Sequence, residues 1–494
     1  MIKLTLFSAV WCLLGGVASA ADRPNIVFIF ADDQRADTIG AHGNPHIRTP
    51  HLDRLAGEGT SFLRNYCAGS FSGAVCVASR SMLMTGRDWQ RISHQGGKQA
   101  WEGHPLLPAV LEEKGGYRSH IVGKWHNGLH TLTRSFQEGS AVYMGGMADH
   151  TSFEVQDYVD GKLTPKRPAG GFSSTVFADA AIRFVESASE QQPFFLYVSL
   201  MAPHDTRNPP EAYREMYYKK LPPLPENFLP LHPFRNGPAT MMGRDEALAP
   251  WPRTPEVVRD QLAEYYGLIT HLDEQVGRVI KALDNSPHAN NTIVIYTADH
   301  GLGIGSHGLM GKQNVYEQSM RCPLIVRGPG VPAGKQTEAF TYIHDLHATL
   351  LSAAGLTPSA PIDGKDLSVL WTGEQQAVRN RIFLPFQDNQ RAVNDGRWKL
   401  HVYPQINHRL LFDLKNDPHE TKNLAEDPKY ADEVTRMMAL MEEERKRVGD
   451  TQTLTVTNPQ PKEIAYDESK RFPDRWQPKW IRDKYFHGRE AKRR

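Results

Sequence analysis

Three runs of apolar residues recur along the first part of the chain, and each is largely apolar on both faces of an extended backbone. They are residues 25–30, 194–200 and 292–296, and residues 117–122, which mix polar and apolar side chains, are a fourth candidate strand. This pattern is typical of parallel strands that helices cover on both sides. Helical patterns separate the runs: Thr49-Pro50 opens a short helix, and residues 256–283 carry apolar positions at helical spacing. The alternation predicts an α/β fold with a large mixed, mostly parallel sheet flanked by helices.

After residue 365 the pattern changes to short alternating segments. Residues 382–386, 398–403 and 410–414 are predicted strands, and residues 428–447 are a predicted helix. We therefore expect an N-terminal domain over residues 21–365 and a smaller α+β subdomain with an antiparallel sheet over residues 366–494. The subdomain ends in a basic, aromatic tail from Pro461, which either packs on the parent domain, stays solvated or binds a polyanion.

Residues 1–20 have the pattern of a secretory signal peptide. Lys3 precedes an apolar run, and Ala18-Ser19-Ala20 forms a cleavage site of small residues. We therefore expect export to the periplasm or the extracellular space. No later apolar run reaches the length that a bilayer requires, so stable membrane insertion is not expected.

Net charge narrows the possible partners, and cysteine content narrows the possible disulfides. A net charge of +1, from 57 basic and 56 acidic residues, argues against a nucleic-acid partner. After the signal peptide only Cys67, Cys76 and Cys322 remain, which is too few for a disulfide framework in a chain of 494 residues.

Acidic residues follow two of the predicted strands. Asp32-Asp33 comes directly after the first strand, and Asp299-His300 comes directly after the last. Ligands bind beyond the carboxyl ends of strands in open α/β sheets, although such residues can also be ordinary turn and cap residues. Carboxylates that converge at one edge repel one another unless a cation neutralises them. Because most of the ligands are oxygens, the pattern indicates a hard divalent ion such as Ca²⁺ or Mg²⁺.

The segment from Cys76 to Arg87 reads Cys-Val-Ala-Ser-Arg-Ser-Met-Leu-Met-Thr-Gly-Arg. It resembles the signature of the formylglycine-dependent sulfatases of the alkaline-phosphatase-like superfamily, in which Cys-x-Pro-Ser-Arg is followed by x-x-Leu-x-Thr-Gly-Arg. The resemblance extends, in the family's order, along most of the chain. Further similar segments are Asp32-Asp33, Gly123–Gly128, Ala202-Pro203-His204, Asp299-His300-Gly301, Gly311-Lys312, and Leu411–Leu414 with Asp417–Glu420.

The resemblance implies a sulfatase whose nucleophile is made from Cys76. In this family a separate maturation enzyme oxidises the cysteine to formylglycine, and the aldehyde hydrates to a gem-diol. A sulfated gem-diol can eject sulfate when a base removes the proton of its other hydroxyl, whereas a sulfated serine needs a second attack at sulfur. The implied partners are therefore a formylglycine-generating maturase and a sulfated substrate. The predicted export of the protein and its long loops over residues 203–255 indicate that this substrate is a carbohydrate.

The resemblance also implies roles for the other motif residues. Asp32, Asp33, Asp299 and His300 would hold one divalent cation together with residue 76; Ca²⁺ is the expected ion and Mg²⁺ the alternative. Arg80, Lys124 and Lys312 would supply fixed positive charge. His126 would be the base that releases sulfate, and His204 with Lys312 would protonate the leaving oxygen.

Two positions depart from the family pattern. Ala78 stands where the signature has proline, which restricts the maturases that act on this segment, and His300 stands where many relatives have asparagine. Two alternatives remain open. One is a phosphodiesterase or phosphonate hydrolase of the same superfamily, and the other is a non-catalytic glycan-binding protein with an unmodified Cys76.

Overall fold

The computed structural model describes residues 23–92, 94–95, 98–99, 101–237, 243–464, 472–473, 477 and 479–486. The predicted signal peptide and much of the basic tail lie outside the described residues. Among the helices of the described ranges, none combines the length and the apolar content needed to cross a membrane.

The strands form one large sheet and two smaller ones. In chain order they are β1 (Asn25–Ala31), β2 (Thr60–Tyr66), β3 (His94–Gln95), β4 (Lys98–Gln99), β5 (Arg118–Lys124), β6 (Glu138–Tyr143), β7 (Glu154–Val159), β8 (Lys162–Leu163), β9 (Arg167–Pro168), β10 (Phe194–Ser199), β11 (Thr292–Ala298), β12 (Arg321–Cys322), β13 (Leu324–Arg327), β14 (Lys335–Tyr342), β15 (Ile382–Phe386), β16 (Gln390–Asn394), β17 (Trp398–Tyr403) and β18 (His408–Asp413).

The large sheet has twelve strands and is mixed, as the sequence predicts. Its centre, in the order β11-β1-β10-β5-β6, is parallel throughout. Antiparallel pairs extend it on one side through β13, β2 and β12 and on the other through β7 and β8, while β14 runs parallel to β2. Residues of β1, β10 and β11 are buried on both faces, which explains their unbroken apolar sequence.

Helices flank this sheet in two groups. In chain order the helices are α1 (Pro50–Glu58), α2 (Val75–Thr85), α3 (Leu107–Gly115), α4 (Leu129–Thr133), α5 (Ser173–Ser187), α6 (Glu211–Tyr218), α7 (Pro255–Asp284), α8 (Glu317–Met320), α9 (Asp345–Ala353), α10 (Ser368–Trp371), α11 (Ala431–Val448) and α12 (Lys479–Tyr485). Helices α1, α5 and α6 pack against the long helix α7, and α2, α3 and α9 pack against one another.

The smaller antiparallel sheet has the order β15-β16-β17-β18. Helix α11 covers it by burying Val434, Met437 and Met441 against Val393 and Leu400 of the strands. Strand β16 is an addition to the three strands predicted from the pattern. Its sequence Gln-Arg-Ala-Val-Asn is mostly polar, yet every residue is buried. The burial follows from tertiary contacts, since Gln390 Nε2 donates to the carbonyl oxygens of Asn236 and Gln313 in the N-terminal part of the chain.

The described part of the C-terminal tail packs on the long helix. Lys484 Nζ donates to Asp260 Oδ2 of α7 at 2.9 Å, and Tyr485 OH bonds the same carboxylate. The Trp480 ring lies 4.7 Å from the Arg214 guanidinium of α6. Of the alternatives for the tail, these contacts favour packing on the parent domain for residues 479–486.

A buried histidine makes stability depend on pH. His347 in α9 donates from Nδ1 to the carbonyl of Leu83 in α2 at 3.2 Å, and burial lowers its pKa to about 4 from an ordinary 6.5. Between those values the unfolded chain binds a proton that the folded protein does not, so stability is lost as pH falls. We expect His347→Gln to reduce the loss of unfolding free energy between pH 7 and pH 5 by about 1–2 kcal/mol, measured by urea denaturation. His46→Gln, at an exposed histidine, is the control, and an unchanged pH dependence in His347→Gln would contradict the prediction.

Candidate active site

The register of the central strands brings the two acidic segments together. Ala31 at the end of β1 lies opposite Ala298 at the end of β11, so Asp32 and Asp299 leave the sheet side by side. The junction is fixed by two hydrogen bonds: Asp33 N donates to Asp299 Oδ1 at 3.0 Å, and Asp299 N donates to the carbonyl of Ala31 at 3.2 Å. The candidate site therefore lies at the carboxyl edge of the parallel strands.

Four of the candidate metal ligands share one small volume. One donor atom from each of Asp32, Cys76, Asp299 and His300 lies within 4.8 Å of the others, and all four residues are buried. Asp32 Oδ1 and His300 Nε2 have no hydrogen-bond partner among the described residues. Because a buried polar atom without a partner is costly, these two atoms indicate a ligand at this position. The donor set, mostly carboxylate oxygens with one imidazole, fits a hard divalent cation.

Asp33, the remaining predicted ligand, lies beside this group. Its carboxylate accepts from Lys312 Nζ at 2.8 and 3.0 Å and lies 3.2 Å from His300 Nε2. Burial raises the pKa of Asp33 well above its ordinary value; Lys312 opposes this, and Asp32 and Asp299 raise the pKa further. Repulsion among these buried carboxylates is what a bound cation would relieve.

Helix α2 presents the cysteine and the arginine of the signature on the same face. Cys76 lies in its first turn and Arg80 is four residues later, a spacing that places side chains one above the other. Both residues and Ala78 between them are buried. Gly86 caps the end of the helix with a φ of 68°, in the left-handed region, and a Cβ at this position would lie 2.9 Å from His347 and 3.0 Å from Ile362.

Arg80 is held by contacts from three strands. Its Nη1 donates to Ser199 Oγ at 2.5 Å, to Tyr197 OH at 3.3 Å and to the carbonyl of Lys124 at 3.4 Å. Its Nη2 lies 3.5 Å from Asp299 Oδ2, and the guanidinium lies 4.9 Å from the Phe30 ring. Because the side chain is fully buried and held by these contacts, the site has a positive charge in a fixed position. Its Nε has no partner among the described residues.

His126 is the nearest base to the cysteine. Its Nδ1 lies 3.1 Å from Cys76 Sγ. Burial and the charge of Lys124 lower the pKa of His126 to about 3, so the ring is neutral near pH 7. The residue has a φ of 64°, which turns the chain sharply after β5 and directs the ring toward α2.

Gly146 packs against the other side of this ring, and a methyl group there would overlap Nε2 and Cε1 of His126. We expect Gly146→Ala to displace the imidazole and lower kcat on the order of 10²-fold, because a shift of about 1 Å is enough for such a loss. Gly57→Ala is the control, since a methyl group there meets nothing within 4 Å. Steady-state kinetics of both variants test this, and wild-type kcat in Gly146→Ala would contradict it.

Lys124, Lys312 and His204 complete the set of charged groups. Lys124 Nζ pairs with Asp32, and both side chains are fully buried. Burial alone would lower the pKa of Lys312, but Asp33 and Cys76 raise it well above its ordinary value. His204 lies with Nε2 at 3.7 Å from Asp33 Oδ2 and Nδ1 at 2.8 Å from the carbonyl of Asp205. Burial and Lys312 lower the pKa of His204 well below its ordinary value.

Every residue assigned to the site from the sequence thus lies at this edge of the sheet. Several neighbours were not anticipated. Ser199 and Tyr197 accept hydrogen bonds from Arg80. Ser199 is the last residue of β10, so a search for polar residues at strand ends could have found it. Asp205 binds Arg244 through both carboxylate oxygens, one at 3.0 Å. Arg244 belongs to the long excursion between β10 and α7, where no local pattern marks it.

Comparisons with known proteins identify the family of the chain. The profile of the Sulfatase family matches residues 24–356, and the profile described as N-sulphoglucosamine sulphohydrolase, C-terminal, matches residues 305–447. An N-acetylglucosamine-6-O-sulfatase of Bacteroides thetaiotaomicron is 25% identical over 87% of each chain. The N-acetylgalactosamine-6-sulfatase of Mus musculus is 30% identical over 82% of this chain and 76% of the relative.

A solved structure shares the fold. It is that of a protein in complex with its substrate D-glucosamine-2-N,6-O-disulfate, with a TM-score of 0.74 and 22% identity over 87% of this chain and 99% of that one. Fold and site together define a hydrolase of the alkaline-phosphatase-like superfamily. Within that class the chain belongs to the sulfatase family, and it is a sulfuric ester hydrolase.

Proposed function

We propose that the protein hydrolyses a sulfate ester of a sulfated carbohydrate, using a formylglycine hydrate made from Cys76 and one divalent cation. The observation that carries the proposal is the position of Cys76 Sγ, which lies among the donor atoms of Asp32, Asp299 and His300 and 3.1 Å from His126 Nδ1. In the mature enzyme the Sγ position stands for an oxygen of the hydrate. A nucleophile at this point would have cationic stabilisation and a base within reach.

Asp32, Asp33, Asp299 and His300 are the proposed ligands of the cation, with residue 76 as the fifth. The unpartnered Asp32 Oδ1 and His300 Nε2 support this assignment. We propose Ca²⁺, with Mg²⁺ as the alternative, because oxygen donors dominate the set. When bound, the ion supplies Lewis-acid polarisation of a sulfate oxygen and lowers the pKa of the attacking hydroxyl.

The resemblance to the family implies the remaining roles, and the positions of the side chains support them. His126, neutral near pH 7, accepts the proton of a hydroxyl at residue 76 and so drives release of sulfate. Arg80, buried and fixed by Ser199 and Tyr197, holds residue 76 and stabilises negative charge. Lys312, which stays protonated beside Asp33, acts with His204 on the leaving oxygen, and Lys124 adds positive charge beside Asp32.

The relatives support a carbohydrate as the substrate. Two of them are sulfatases named for N-acetylglucosamine and N-acetylgalactosamine 6-sulfate groups. Such substrates have alkyl leaving groups, which need protonation more than phenols do, and Lys312, which stays protonated, suits that demand.

We also propose that residues 1–20 direct export, and that residues 21–365 and 366–494 are the two parts of the chain.

The proposal is tested by the mass of the tryptic peptide Asn65–Arg80 from protein made with a formylglycine-generating enzyme. We expect a peptide lighter by the difference between a thiol and an aldehyde, together with release of sulfate from a sulfated sugar. An unmodified cysteine in protein from the native source would overturn the proposal in favour of a non-catalytic glycan-binding protein. Preference for a phosphonate monoester over every sulfate ester tested would overturn the assignment of substrate.

A further inference from the structure

The excursion between β10 and α7 returns to the active site at a short 3-10 helix, Asp245–Leu248. This segment lies over the loop that carries Lys312. Glu246, which is 1% exposed, directs its carboxylate at the backbone of that loop. It accepts from Met310 N at 3.1 and 3.2 Å and from Gly311 N at 3.0 Å. A single buried carboxylate therefore binds two successive amides immediately before Lys312.

The charge of Glu246 is balanced by a buried partner. Arg253 is 1% exposed and forms an ion pair with Glu246 Oε2. Its guanidinium also donates to the carbonyl oxygens of Glu246 and Pro250, each at 3.0 Å, and lies 3.9 Å from the centre of the Trp251 ring. A buried carboxylate is tolerated when it is paired and fully hydrogen-bonded, and this one is also held in a fixed position.

The loop is shaped for this contact. A methyl group on Gly311 would lie 2.9 Å from Asp245 Cβ and 3.3 Å from Glu246 Oε1, so the close approach requires glycine. On the other side of Lys312, Gln313 Nε2 donates to Asp245 Oδ2 at 2.7 Å, and Gln313 Oε1 accepts from Lys312 N at 3.1 Å. The backbone of Lys312 is thus held on both sides by neighbouring residues of the excursion.

We infer that Glu246 is a positioning residue for Lys312. It fixes the backbone from which the Lys312 side chain reaches its place at 2.8 Å from Asp33 Oδ1. This inference rests on the proposed function, in which Lys312 acts on the leaving oxygen. Loss of the hydrogen bonds from Glu246 leaves Cys76, His126 and Asp32 in place. It moves Lys312, the group that assists departure of the alcohol, and with it the hydrogen bonds that Lys312 donates to Asp33.

This role has a kinetic signature. An alkyl sulfate leaves as a strongly basic alkoxide and needs a proton or a close positive charge, whereas an aryl sulfate with an acidic phenol needs little help. Displacement of Lys312 therefore lowers kcat/KM for the alkyl ester more than for the aryl ester. The ratio of the two values, measured on one preparation, does not depend on how much of the protein is folded and active. A purely structural role for Glu246 would lower both values equally.

The test compares wild type, Glu246→Gln, Glu246→Asp and Lys312→Ala on a 6-O-sulfated N-acetylhexosamine and on 4-nitrophenyl sulfate. A glutamine at position 246 has one acceptor oxygen and an NH₂ group that opposes the amides, and aspartate retains the charge but withdraws it by one methylene. We expect both Glu246 variants to lower the alkyl-to-aryl ratio about tenfold, part of the 10²–10⁴ that a general acid contributes. Glu444→Gln is the matched control, a buried glutamate paired with Arg381 and Arg447 in the smaller subdomain, and it should keep the wild-type ratio.

The outcomes separate the inference from the function on which it rests. A lower ratio in Lys312→Ala with a wild-type ratio in both Glu246 variants overturns the positioning role and leaves the proposed function intact. A wild-type ratio in Lys312→Ala itself overturns the proposed role of Lys312. In the double variant Glu246→Gln/Lys312→Ala we expect no further fall in the ratio beyond Lys312→Ala, because residues that act through one group are not additive; a further fall would also contradict the inference.

Discussion

Replacement of Cys76 by alanine is expected to abolish hydrolysis of sulfate esters, with a fall in kcat/KM on the order of 10⁴ or more. The other charged groups of the site remain in Cys76→Ala, but the atom that attacks sulfur is gone. The substitution removes a small buried side chain, so folding should persist. The loss is measured as release of sulfate from a sulfated sugar, with thermal unfolding as the check on structure.

The chain offers matched controls for this variant. Cys67 and Cys322 are also buried, and burial raises the pKa of both thiols far above the ordinary value, which keeps them protonated and inert. Cys67→Ala and Cys322→Ala should therefore retain kcat. Cys76→Ser distinguishes the hydrate from a simple nucleophile, because a sulfated serine has no second hydroxyl and should complete one turnover at most. Sustained turnover by Cys76→Ser or Cys76→Ala would contradict the proposal.

Removal of the divalent ion is the second large effect that we expect. Dialysis against a chelator should lower kcat on the order of 10³-fold, since a Lewis acid contributes several kcal/mol to charge stabilisation. Addition of Ca²⁺ should restore activity and raise the melting temperature, because an ion that binds only the folded state stabilises it. Recovery with Mg²⁺ alone would contradict the choice of Ca²⁺, and full activity after chelation would contradict the metal site.

Variants locate that effect in the predicted ligands. In Asp32→Asn an NH₂ group replaces one of the two carboxylate oxygens, of which Oδ1 has no hydrogen-bond partner among the described residues, and one negative charge is lost. The ion should then bind more weakly, so the rise in melting temperature with Ca²⁺ should disappear. Asp450→Asn is the control, since Asp450 is a buried carboxylate paired with Arg391 in the smaller subdomain. Equal shifts in wild type and Asp32→Asn would place the ion elsewhere.

Several features of the fold were predictable because they depend on local patterns. The strands β1 and β11 are buried on both faces, and their unbroken apolar sequence predicts both their position and their place at the centre of the sheet. The acidic residues that follow them are adjacent for the same reason, because the parallel register aligns Ala31 with Ala298. The start of α1 at Pro50 and its end before Gly59 follow from standard helix signals.

Other elements were not visible in the local pattern. Helix α2, which carries Cys76 and Arg80, has ten buried residues among its eleven, so it lacks the polar face that marks an amphipathic helix. Strand β16 is polar in sequence but buried, since its side chains bind loops from the N-terminal part of the chain. In both cases the environment of the residues is set by distant segments.

The sequence by itself predicted which residues form the candidate site. The strands before Asp32 and Asp299 predicted the edge of the sheet where these carboxylates lie, whereas Cys76, His126 and Lys312 were assigned because their motifs resemble those of the sulfatase family. The tertiary structure alone decided how those groups are held. Glu246 accepts hydrogen bonds from the amides of Met310 and Gly311, which lie 64 and 65 positions later in the chain. No periodicity or spacing in the sequence marks such a contact. The physical reason is that strand and helix signals arise between near neighbours, whereas the support of a charged group depends on which remote segment packs against it.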